Sequence, residues 1–323
     1  MADSLISIAT TPGYADNTVK AAYDLLFRWA LTATPQYRQF VDVKPAAPTM
    51  QGSSITLQLN QFTDEATVNA AKTPLSEEVD NDAVKMPVTK TVTLTPQEYG
   101  FHTVRTLKLI NRSMTPVDPV VARFVADHQR KVVDELIQDK LNAGVASTNI
   151  LRGGGQTATN LITASNTLTA DMVRVAKLKL AVAQTLPWFG EYYAAGAHPT
   201  AIFELRRETG SGSWRTPNEY GAGDGLNDIW AGTIGDFEGV RFVENARTRV
   251  AADGASGAKV ARTYFFGREA LAESVIVEPH IVLGNVGSDR YNRKRTIGWY
   301  GDFDQQVFRQ EALVIAQTGS AQL

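Results

Sequence analysis

Ile55, Leu57 and Leu59 alternate with Thr56, Gln58 and Asn60, a two-residue period that predicts a half-buried strand. A second run, Val84–Leu94, alternates less cleanly, because Lys90 shares the parity of Val88 and Val92. Between them, 62–82 is polar and acidic, with Asp64, Glu65, Glu77, Glu78, Asp80, Asp82 and Pro74. Two strands joined by such a tip read as a two-stranded β-ribbon. A lone ribbon is marginal in water, so this one needs a partner surface. Alternation passes through Pro96–Gly100, resumes over Phe101–Ile110, and then changes period.

From Pro119 the spacing is helical: Val121, Phe124, Val125, His128, Val132 and Leu136 share an apolar side, opposite Asp127, Arg130 and Lys131. Asp118 is the expected N-cap, Pro119 the first-turn proline and Gly144 the C′ glycine. At about 1.5 Å per residue the rod spans a small domain. A projecting ribbon rooted on a rigid rod suits contact with neighbouring subunits.

Upstream, residues 1–17 read as an extended arm, followed by a short amphipathic helix with Val19, Ala22, Tyr23, Leu26, Phe27 and Ala30, stopped by Pro35. Downstream, the polar stretch 145–168 carries Gly153-Gly154-Gly155. Thr169 caps a helix bearing Val173, Ala176, Leu180 and Ala183, and Pro199 opens another with Ala201, Ile202 and Leu205. A glycine-rich loop, Gly210–Gly225, follows. Gly232–Gly235 and Gly239–Val243 read as turn-plus-strand units. Thr263–Gly267, Ala270–Ala272 and Ser274–Val277 read as short strands or a turn, and Ile297–Tyr300 and Gln306–Ala316 as closing strands. The class is α+β, without solenoid repeats.

With 323 residues, 43% of them hydrophobic and 20% charged, the chain has the composition of a folded globular protein of more than one core. A formal charge of −2 supplies no global field for gripping DNA or an anionic membrane. Cysteine is absent, which removes disulfides, thiolate zinc sites and thiol nucleophiles and fits a reducing cytoplasm. The first residues lack a basic, apolar leader, so no secretory signal is expected. No run approaches the roughly 20 apolar residues of a membrane span.

Catalytic chemistry finds no anchor. His102, His128, His198 and His280 have no metal-ligand spacing and no partner serine elbow. His128, on the apolar side of the rod, reads as a hydrogen-bonded core or interface histidine. The glycine clusters lack the Lys-Ser/Thr and strand–helix context of a phosphate loop and read as flexible loops. Asp302 and Asp304, like Asp80 and Asp82, do not continue into a calcium loop and read as solvated turns. No enzyme, cofactor or metal is expected.

One dense basic run remains: Arg290, Tyr291, Asn292, Arg293, Lys294 and Arg295. A base could stack on its aromatic residue while the cations meet phosphate. A single hexamer does not make a DNA-binding function, and the acidic tip offers the opposite sign. Inter-subunit contact is therefore expected to pair Glu77, Glu78, Asp80 and Asp82 of one copy with Arg290, Arg293 and Arg295 of another.

The order of these parts resembles the major capsid proteins of tailed double-stranded DNA bacteriophages with the Hong Kong 97-type fold, and within them the family typified by phage N-four. The local features are Gly52 ahead of the first ribbon strand, Glu77-Glu78 at the tip, Thr91–Phe101 with Tyr99-Gly100, and Gly235–Val243. The resemblance implies an N-terminal arm and helix at 1–45, an extended β-ribbon loop at 46–96, a peripheral domain with the spine helix at 97–149, an axial domain at 150–296, and strands returning to the peripheral domain with a C-terminal tail at 297–323. It implies a virion subunit made and assembled in the host bacterial cytoplasm, tiling as hexamers and pentamers into an icosahedral shell around the genome and touching packaged DNA weakly. Separate scaffolding, portal and decoration proteins are the implied partners, with no membrane. Lys72, Lys85 and Lys90 are present, but no motif selects a crosslinking lysine. An encapsulin-like cage around protein cargo, or a phage neck or tail component, is the alternative.

Overall fold

The computed structural model describes residues 37–45, 54–59, 68, 72, 90–113, 117–209, 236–286, 289, 291 and 293–323. The arm and helix at 1–36, most of the acidic tip, the start of the second ribbon strand and the loop 210–235 lie outside them.

A 3₁₀ turn at Tyr37–Phe40 leads into strand β1 (Asp42–Pro45). The ribbon strands are β2 (Ile55–Leu59) and β3 (Lys90–Leu94), antiparallel with Ile55 opposite Leu94 and Leu59 opposite Lys90. Strand β4 (Gln97–Thr106) then feeds helix α1 (Leu107–Arg112). The expected strand through Ile110 therefore stops at Thr106, whose hydroxyl accepts the Leu109 N–H at 3.2 Å and caps the helix.

Spine helix α2 (Val117–Gly144) starts before Pro119, so Asp118 lies in its first turn, paired with Arg105, and is not its cap. Gly144 is the last helical residue and not a left-handed C′ glycine: a Cβ there would lie 2.5 Å from Val307 Cγ2, so glycine permits close approach. The buried stripe is also rotated from the expected one. Val125, Val133, Ile137 and Leu141 are buried, Val121, Val132 and Leu136 pack at the margin, and Phe124 is exposed.

After β5 (Ile150–Arg152) come α3 (Ala170–Val182), β6 (Tyr193–Ala197), α4 (Pro199–Arg207), β7 (Asp236–Phe237), β8 (Val240–Glu244), β9 (Val250–Ala251) and β10 (Val260–Phe266). Thr169 caps α3 and Pro199 opens α4, as their residue types predict. The Gly153–Gly155 segment is a 3₁₀ turn fitted against Asn166, whose carbonyl oxygen would lie 2.3 Å from a Cβ on Gly153; close packing at Gly153 and left-handed backbone at Gly154 and Gly155 explain the glycines.

Two expected short strands near 270–277 are one strand, β11 (Leu271–Asn285), followed by β12 (Lys294–Val307), a 3₁₀ turn at Gln310–Ala312 and β13 (Leu313–Gly319). Asp302 and Asp304 thus lie within β12 and not in turns.

The strands form two larger sheets. One has the order β1-β11-β12-β4 and packs one face on the spine; the other runs β5-β13-β10-β6-β8-β7, with β9 beside β10. The second sheet is covered on both faces. Tyr264, Phe266 and Ile315 share a core with Tyr37, Phe40, the spine and Trp299, while Phe265, Val314 and Ala316 face α3 and α4. Strand β12 belongs to the first sheet and β13 to the second, so the C-terminal segment joins both.

Candidate assembly surface

The ribbon belongs to neither larger sheet and is fastened at its root. Successive residues of a strand face opposite sides: Leu271 and Val307 enter the spine core, and Ala272 and Phe308 face the other way. There they hold Leu94, fully buried, with Leu57, Leu59 and Val92 around it. Lys90 Nζ donates to Glu311 at 2.9 Å, and the Thr95 N–H donates to Asp304 Oδ2 at 2.9 Å. Asp304 also accepts from Lys140 of the spine at 2.8 Å. The Lys90 hydrogen bond, partly opposed by burial, holds the Glu311 carboxyl below its usual range.

A second knot joins the spine to the chain around 245–249. Asp134 accepts the Tyr37 N–H at 2.9 Å, Asn245 Nδ2 at 3.3 Å and Gln138 Nε2 at 3.4 Å. Burial raises its carboxyl above the usual 3.8, although these donors and the Arg247 charge pull the other way. Asp134 and Gln138 lie in the same stripe as Ile137 and Leu141, a sequence signal of polar groups inside an apolar face.

The adjacent cleft, about 470 Å³, is lined by Glu135, Asp139, His198, Arg247 and Arg249 among others. Its charges are mutually engaged: Arg247 pairs with Glu135 and Arg249 with Asp139. His198 caps α4, its Nδ1 accepting from the Thr200 N–H at 3.3 Å. Burial lowers the His198 pKa, against the opposing effect of its hydrogen bond to the Ala246 backbone. The residues here brace the backbone. His128 does likewise, accepting from Trp299 Nε1 at 3.1 Å and stacking on Phe101 at 4.2 Å.

Of the residues expected at inter-subunit contacts, Glu77, Glu78, Asp80, Asp82 and Arg290 lie outside the described residues. Arg293 and Arg295 are exposed, Arg293 in the turn between β11 and β12 and Arg295 at the start of β12. Asp289 shapes this turn, accepting from the Lys294 N–H at 2.6 Å and the Tyr291 N–H at 3.4 Å. Burial would raise its carboxyl, but those N–H donors, that of Arg293 and the Arg293 charge hold it below the usual range. Arg293 lies 3.9 Å from Asp289 and over the Tyr291 ring, 5.3 Å from its centroid. Among the described residues no ion pair engages the side chain of Lys294 or Arg295, and no cluster of His, Asp and Glu could hold a metal.

Solved structures share this architecture. The capsid of Ralstonia phage GP4 superposes with a TM-score of 0.71 at 13% identity, covering 96% of this chain and 98% of the other. The cyanophage Pam1 capsid gives 0.71 at 14% identity, with 99% and 100% covered. The capsid of a native GTA particle gives 0.66 at 12%, with 98% and 100% covered. No curated protein matches in sequence. A spine helix beneath a four-stranded sheet, a seven-stranded second sheet and a ribbon rooted between them make up the Hong Kong 97-like capsid fold. The family model described as phage capsid protein matches residues 125–287, half of the chain, and the chain belongs to that family. Its role is structural, as a major capsid protein of a phage shell.

Proposed function

We propose that copies of this chain close as hexamers and pentamers into an icosahedral shell around double-stranded phage DNA. The ribbon carries this reading: among the described residues it joins neither larger sheet and is fastened to the rest of the chain at its root. In the shell it lies over the next subunit, and the acidic tip at Glu77, Glu78, Asp80 and Asp82 meets the basic turn at Arg290, Arg293 and Arg295. Many such weak contacts sum through multivalency. The arm 1–45, ribbon 46–96, peripheral segment 97–149, axial segment 150–296 and closing segment 297–323 act as the working parts. A formal charge of −2 suits a wall that touches DNA weakly and lets it move. Assembly takes place in the host cytoplasm, with scaffolding, portal and decoration functions on other chains.

Electron microscopy of the purified full chain and of native particles tests this. Closed polyhedra with nuclease-protected DNA are expected. Rings or tubes would move the chain to the neck or tail, and docked protein cargo would make the particle an encapsulin-like cage.

A further inference from the structure

Strand β11 is covered unequally. Its first half pairs with β1 through Ala272–Val275, and its far half pairs with β12 as far as Asn285 opposite Arg295. Beyond Val275, no described strand occupies its other edge. Within that stretch lies an exposed apolar run: Ile281 is 43%, Val282 41% and Leu283 71% exposed. An apolar strand edge without a neighbouring strand is a template for another strand.

We propose that this edge seats residues Asp80–Met86 of a second copy as an added antiparallel strand. The inference rests on the shell reading, which supplies the neighbouring copy. Charge selects occupant and direction. Strand β11 runs towards the basic turn, where the side chains of Lys294 and Arg295 form no ion pair among the described residues. An antiparallel strand begins at that turn and runs back towards Glu278. The segment Asp80-Asn81-Asp82-Ala83-Val84-Lys85-Met86 then sets its two aspartates beside the basic residues, and Val84 and Met86 along the apolar edge. Lys85 falls towards Glu278, which is 64% exposed and already paired with Arg38 at 2.8 Å, so Lys85 adds a second cation there. Pro87, which has no N–H, ends the pairing. A parallel strand would reverse every one of these matches.

The test places a benzophenone-bearing amino acid at position 283 of the full chain and irradiates assembled particles. A covalent dimer on a denaturing gel is expected, with mass spectrometry locating the joined peptide within residues 80–86 and no such product from dissociated subunits. Particles that form without this product, or that join position 283 only to the arm 1–17 or to another surface, overturn the inference and leave the shell reading standing. A wild-type chain that never closes into particles overturns both. In parallel, Leu283→Glu sets a carboxylate beneath the acidic strand and should lower particle yield about tenfold or more, with reversal of charge at Asp82 (Asp82→Lys) restoring part of it. An unchanged melting curve for Leu283→Glu is expected, because the side chain projects into solvent; unchanged yield would also overturn the inference.

Discussion

Strands β10 and β13 contrast with the ribbon strands β2 and β3. Every residue of the first pair is buried, with neighbouring strands on both edges and packed elements on both faces. Of the described ribbon-strand residues only Leu94 is buried, and the rest of these strands is half-buried or exposed. One region completes itself within a single chain. The other is held at its root, and in the proposed shell the rest of it meets other chains. Strand β11 contains both conditions, with Leu271–Ser274 buried and Ile281–Leu283 exposed.

Substitutions should separate the two regions. The largest effect on the isolated subunit is expected from Phe265→Ala, which empties a fully buried site between Phe242 and the helical layer and should cost about 3–5 kcal/mol by denaturant unfolding. Next comes Asp134→Ala. It removes the acceptor shared by Tyr37, Asn245 and Gln138 and should cost about 1–3 kcal/mol, while Asp134→Asn retains part of that stability. The smallest is Lys90→Ala: the Lys90–Glu311 pair is part-exposed, so subunit stability should change by less than about 1 kcal/mol, whereas particle yield falls because the ribbon leaves its pose.

Acid sharpens the contrast, since the two carboxylates have opposite signs. The depressed Glu311 adds stability above its ordinary value of 4.5, and this is lost as pH falls through its lower folded value. The raised Asp134 adds stability below its ordinary 3.8, and this is lost as pH rises through its higher folded value. Melting scans between about pH 3 and pH 6 should therefore show Lys90→Ala flattening the acid-side loss and Asp134→Asn flattening the opposing slope.

Local signals were legible where short-range chemistry decides structure: the alternation of Ile55–Leu59, the Thr169 cap, Pro199 and the start of the spine near Pro119. They failed where distant partners decide it. Glu273, Glu278, Pro279 and His280 interrupt the apolar pattern of β11, yet the strand continues. Buried Glu273 binds Arg38 and Gln305, and register shifts between Val275 and His280 accommodate Pro279. Leu107 and Leu109 mimic strand alternation, but the Thr106 cap starts a helix. Asp302 and Asp304 looked like solvated turn residues because their sheet neighbours lie far away in sequence; Asp304 receives Thr95 and Lys140. The opposite charges of the tip and the basic turn could be read from the sequence, but any contact between copies depends on geometry that one chain does not encode locally.

Hydrogen–deuterium exchange on free subunits and on assembled particles tests the central claim most directly. The account predicts that β10 and β13 exchange slowly in both states, while the ribbon, the exposed half of β11 and the basic turn gain protection only in particles. Equal protection of the ribbon and the β11 edge in the two states would contradict it, because those surfaces would then owe nothing to a neighbour.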